Sequence, residues 1–164
     1  MRSEIHDRLN TIVENDANLK YSGNTIFKTF ENEYPSRIDG TKLPCVIWMP
    51  RQDNGYDHLG GPVYRTTVEY EGRVYLQQYG EGLSTIQNIR AIKFPDLFRN
   101  AFLSRPHLDY NDDGLSGMCG EITFRIASDL LRPMDWPIGN RAPLYWGFAI
   151  RLTVPYEDTI DIAI

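Results

Sequence analysis

Residues 144–154 read LYWGFAIRLTV and are followed by Pro155. Trp146, Phe148, Ile150, Leu152 and Val154 recur at every second position, while Tyr145, Gly147, Ala149, Arg151 and Thr153 set small or polar groups on the other face. A period of two is the mark of a strand, and a row of side chains this large must be buried against helices or a second sheet. So regular a strand also needs a hydrogen-bonded neighbour. The best partner by pattern is 120–131, GEITFRIASDLL, where Ile122, Phe124 and Ile126 alternate with Glu121, Thr123 and Arg125.

Three further stretches read as strands. Residues 43–49, LPCVIWM, form an apolar run of strand length, closed by Pro50. Residues 63–79 are strand-like with a break at Glu71-Gly72, which predicts either a tight hairpin or one long strand bulged at Gly72. Residues 25–30, TIFKTF, alternate as a short first strand. Helical spacing appears twice. Ile5, Leu9, Ile12 and Val13 share a stripe behind Ser3 as N-cap. Ile86, Ile89 and Ile92 start a second helix near Ser84 or Thr85, and Leu97, Phe98, Ala101 and Phe102 prolong its stripe past Pro95, where a kink or restart is expected. Residues 51–62, 105–117 and 132–143 read as loops, rich in Gly, Pro and Asn. The tail YEDTIDIAI reads as either a docked extra strand or a loose end, so 156–164 is set apart as a C-terminal extension of a single domain spanning 1–164. The order of elements predicts an α+β fold: a mainly antiparallel sheet with helices packed on one face.

Composition narrows the function classes. At 164 residues the chain is of single-domain size, and 12% aromatic with 24% charged residues is the profile of a folded protein. A net charge of −5 works against non-specific binding to nucleic acid or an anionic membrane. Cys45 and Cys119 stand alone, which gives no disulfide framework and no CxxC motif; two buried thiols in a reducing compartment are expected. The opening MRSEIHDRLN has no apolar signal-like core, and no stretch approaches the roughly 20 apolar residues of a membrane span, so synthesis in the cytosol is expected.

Sequences suggestive of chemistry fall short of their motifs. Asp109-Tyr110-Asn111-Asp112-Asp113-Gly114 fits the start of a calcium loop, but Gly120 stands where the bidentate Glu should be, and Glu121 comes one place late. Gly114-Leu115-Ser116-Gly117-Met118 lacks the second glycine of a nucleophile elbow. Gly80-Glu81-Gly82 lacks the Lys-Ser/Thr of a phosphate loop, and Glu81 would repel the phosphate. His6, His58 and His107 are scattered, with no ligand spacing among them. No catalytic residue, metal or cofactor is therefore expected. What stands out is surface: the two long loops carry Arg51, Tyr56, His58, Trp136 and Arg141, residue types that dominate protein interfaces. Trp136 reads equally well as a plug for its own core. An unpaired sheet edge would offer a neighbour a second kind of contact.

An amphipathic N-terminal helix, an LPCVIWMP strand, the unit VYRTTVEYEGRVYLQQY, a helix, and closing strands ending in AIRLTVPYED follow one another. Over about residues 3–156 this order resembles the tail terminator and tail-completion proteins of long-tailed bacteriophages. The loop between the closing strands is long and proline-rich for that pattern. The resemblance implies a structural virion protein, not an enzyme: a homo-oligomer, as a hexameric ring, at the head-proximal end of the tail tube. It would touch the tail tube protein on one side and the head–tail connector or neck protein on the other. DNA would pass through the ring without specific binding, and no membrane would be involved. Such a protein would reside in the virion tail or neck, and in host cytoplasm during assembly. Two other readings stand beside it: a head-completion or neck protein on the portal side, and a small-ligand-binding or enzymatic α+β domain with His107, Asp109 and Asp113 near a pocket mouth.

Overall fold

The computed structural model describes residues 2–30, 42–78, 85–109, 119–127, 132–134 and 145–159. In chain order its elements are helix α1 (Arg2–Asn15), a 3-10 turn (Ala17–Leu19), and strands β1 (Lys20–Tyr21), β2 (Asn24–Thr25), β3 (Cys45–Asp53), β4 (Asp57–Gly60) and β5 (Val63–Gln78). Helix α2 (Thr85–Leu103) and strands β6 (Thr123–Ile126), β7 (Arg132–Met134) and β8 (Tyr145–Thr159) complete them. Strands β1 and β2 form a small hairpin of their own. The main sheet has the order β3-β5-β8-β6, with β4 beside β5 and β7 beside β8. All of its strand pairs are antiparallel.

Register explains why the alternating residues matter. Across β5 and β8, Val68 faces Val154, Tyr70 faces Leu152, Gly72 faces Ile150 and Val74 faces Phe148. Strand β3 adds Val46 opposite Val74 and Trp48 opposite Gly72; β6 adds Phe124 opposite Leu152 and Ile126 opposite Ile150. Direct partners in an antiparallel ladder share a face, so these residues make one apolar surface. Ile5, Leu9, Ile12 and Val13 of α1 and Phe98, Ala101 and Phe102 of α2 close over it as a single core. Edge-to-face ring pairs lock the layers: Trp48 with Phe102 at 5.4 Å and Phe98 with Phe148 at 5.8 Å. Both helices thus cover one face of a mainly antiparallel sheet. The opposite face holds a smaller apolar cluster at one end, Cys45, Ile47, Tyr75, Met134 and Tyr145 with Phe30, Leu43 and Met49 against it.

Gly72 settles the reading of residues 63–79. Strand β5 is continuous, with neither a hairpin nor a bulge at Gly72; its irregularity against β8 lies between Tyr75 and Gln77. The glycine is there for Trp48, since a Cβ at residue 72 would overlap the buried indole ring.

Other expectations shift for identifiable reasons. Strand β3 does not stop at Pro50 but runs to Asp53 through a register shift between Pro50 and Gln52. Val46 donates away from β5 to Lys28 O at 2.9 Å, so by alternation Pro50 also points its missing N–H outward, where it costs no ladder bond. Residues 51–62 are not a plain loop: β4 and a turn at Gly60 and Gly61, both with positive φ, make a hairpin with β5. Residues 26–30 are not a strand, although Lys28 makes an isolated parallel bridge to Cys45. Helix α1 starts at Arg2, which places Ser3 inside it instead of at the cap. Helix α2 passes through Pro95 as one element; the side chains of Ile86, Ile89 and Ile92 lie outside what is described. The principal partner of β8 is β5, and the described part of 120–131, which ends at Ala127, supplies the short β6. Residues 156–159 are the continuation of β8, paired with Val63 to Thr66, and neither an extra strand nor a loose end. Within 132–143, Arg132 to Met134 pair with β8 as β7, and residues 135–143 lie outside the described residues, as do residues 160–164.

Candidate functional site

Beyond Thr66 the sheet outruns its helices. All four residues of β4 are exposed, and so are Arg65 of β5 and Glu157 and Thr159 of β8. A strand exposed on both faces lies past the packed layers, so β4 with the first turnward residues of β5 and the last of β8 forms an uncovered ribbon. Its geometry is held locally. Thr66 Oγ1 donates to Gly55 O at 2.6 Å, Asn54 N to Thr67 O at 3.0 Å, and His58 Nε2 to Gly61 O at 2.8 Å. Tyr64 gathers the rings of His58, at 5.1 Å, and Tyr56, at 6.5 Å. On the other side of the ribbon Asp57, Arg65 and Glu157 stand in one row across three strands, with Arg65 Nη2 at 3.2 Å from Glu157 Oε1. Tyr56 and Leu59 are 44% and 46% exposed and both stand at the ribbon.

The same helix-free face continues into a charged band at mid-sheet. Glu71 is buried, and both its carboxylate oxygens are taken: Oε1 accepts from Arg73 Nε at 2.6 Å, and Oε2 lies 3.2 Å from Arg51 Nε. Burial opposes the charge of Arg73, but its hydrogen bonds to Glu71 and Tyr75 outweigh that and raise its pKa. Arg151 Nη1 lies 3.3 Å from Glu69 Oε1, and Arg125 faces Arg151 directly across β6 and β8. The band therefore carries four guanidinium groups against two carboxylates. With each Glu71 oxygen occupied by a guanidinium, the group holds cations in place.

Of the residues expected at an interface, the structure places Tyr56 and His58 on the ribbon and Arg51 at the end of β3, against Glu71. Trp136 and Arg141 lie outside the described residues. Sequence reasoning did not single out Leu59, Tyr64, Glu69, Glu71, Arg73, Arg125 or Arg151. The signal was present in VEYEGRVY, where Glu69, Glu71 and Arg73 occupy the positions that alternate with the apolar row.

Both cysteines are free and buried. Burial pushes the Cys45 thiol up to about 12 and Cys119 up to about 11, the latter with a contribution from Asp109, so neither is a thiolate near neutrality. His107 Nδ1 sits 3.2 Å from Cys119 O, a contact to backbone. Among the described residues no group of three His, Cys, Asp or Glu side chains could hold a metal ion. Of the calcium-like loop only Asp109 is described; residues 110–118, including Asp113 and the Gly114–Met118 segment, lie outside, as do Gly80–Gly82. No helix among the described residues is long and apolar enough to cross a membrane. No protein-family model matches this chain, and no curated protein matches it.

Proposed function

We propose that this protein is a ring-forming structural component of a phage virion, capping the head-proximal end of the tail tube, ending its polymerisation and joining it to the head connector. The observation that carries the reading is the distribution of its distinctive side chains. The core under the helices is filled by apolar residues, while aromatic and charged groups are displayed on an uncovered ribbon and on a helix-free sheet face where arginines take both Glu71 oxygens. Surfaces of that kind bind proteins. The resemblance in element order supplies the tail terminator class. A ring forms when two different patches on one subunit meet head to tail and the rotation closes. With a net charge of −5 the subunit suits a channel through which DNA moves without being retained.

Particle images of the purified protein, or of virions, test this: six copies around an axis, at the junction of tail and head, are expected. Virions in which the chain sits elsewhere, or tails of normal length in its absence, would refute it. Co-purification with the tail tube protein separates the tail terminator from a neck protein, which would be retained by the portal-side connector alone.

A further inference from the structure

Arg125 and Arg151 are direct cross-strand partners, and like charges in that position repel unless an acid lies between them. Arg151 has Glu69 on one side, but among the described residues its buried Nε lacks a hydrogen-bond partner. Arg125 is exposed, and among the described residues no carboxylate pairs with it. The subunit's own ribbon cannot help. Its acidic row crosses β5 at Arg65, six residues from Glu71, which at about 3.3 Å per residue is roughly 20 Å along the sheet. Nor is strand addition at the β3 edge a ready alternative, because Pro50 and the adjacent register shift interrupt it.

From this geometry we infer that the arginine band of one copy receives the Asp57–Arg65–Glu157 row of a second copy, with Leu59 as the apolar contact beside it. The complement of the band is carried on the same chain: two acids flank one base on the ribbon, four bases flank two acids in the band, and the chain as a whole has 22 acids against 17 bases. Band and ribbon are different patches, so each subunit in such a contact keeps its other patch for a next neighbour, and the interface is heterologous. This names the contact that the ring reading leaves open and rests on that reading for closure.

Charge swapping on the full-length chain tests it. Arg125→Glu places an acid in the band, and the pair Asp57→Lys with Glu157→Lys reverses the ribbon; these are exposed positions whose folding is checked by thermal melts. Light scattering and sedimentation over a concentration and salt series should show self-association of the wild type. Either change alone should weaken it by about tenfold or more, and combining all three in one chain, or mixing the two variants, should restore it. Unaltered association in Arg125→Glu, loss without restoration, or a wild type monomeric at every concentration would each overturn the inference. So would Arg125-dependent binding of a short DNA duplex without any effect on self-association. A swap-restored dimer would keep the contact and sink the ring, whereas a six-membered ring indifferent to the swaps would do the reverse.

Discussion

Gly72 and Trp48 show how one residue can be placed for the sake of another. Trp48 is fully buried between the sheet and Phe102, and the space over residue 72 belongs to its indole ring. Gly72→Ala should therefore destabilise the fold by about 1–3 kcal/mol, the usual cost of overpacking a filled core. The change should be less costly in a Trp48→Leu background, where the ring is gone. Denaturant melts of the four proteins in that cycle give the coupling, and additive losses would show that residue 72 matters for some other reason. A glycine between Glu71 and Arg73 in a strand pattern reads locally as a turn or bulge. Only the register, which brings β3 beside β5, reveals the ring that fills its space.

At the scale of the element, Pro50 is the informative position. It stands in an edge strand with its nitrogen on the outer side, next to a shift in register, and both features discourage a second strand from pairing there. Pro50→Thr should restore an outward donor on a β-prone residue while leaving the ladder to β5 intact. The variant should keep its thermal stability within about 1 kcal/mol and aggregate faster, as followed by light scattering with a β-fibril dye; unchanged aggregation would mean the edge is protected by something else. The proline closed the strand in a sequence reading because proline removes a ladder donor. Which side of the strand that donor faces is a property of the sheet. Residues 51–62 teach the same lesson, since their Asn-Gly and Gly-Gly pairs mark real turns, but the turns bracket β4, a strand paired with β5 and exposed at all four of its residues.

For the whole molecule, three buried acids bear on stability at high pH. Burial raises Cys45 to about 12, Tyr75 to about 12 and Cys119 to about 11, from ordinary values near 9 for the thiols and 10 for the phenol. In the folded state all three keep their protons over a range where the unfolded chain gives them up. Their contribution is fully present below about pH 9 and is lost progressively as pH rises toward 12. Denaturation midpoints should fall across that window, and Cys45→Ala should make the fall shallower; an unchanged alkaline slope in that variant would contradict the assignment. The α+β class, the alternation of Phe148, Ile150, Leu152 and Val154, the stripe of α1, the Phe98–Phe102 part of the stripe of α2 and the burial of both thiols were legible in the chain, because periodicity records which side of an element must leave water. Tyr145, read on the small and polar face, is instead buried in the cluster on the opposite side of the sheet. The strand order, the 16-residue continuity of β5, the extension of β8 to Thr159, and the arginine band were decided by tertiary structure. Strand neighbours and cross-strand charges join residues far apart in sequence, and no local pattern encodes which strand, or which arginine, will stand opposite another.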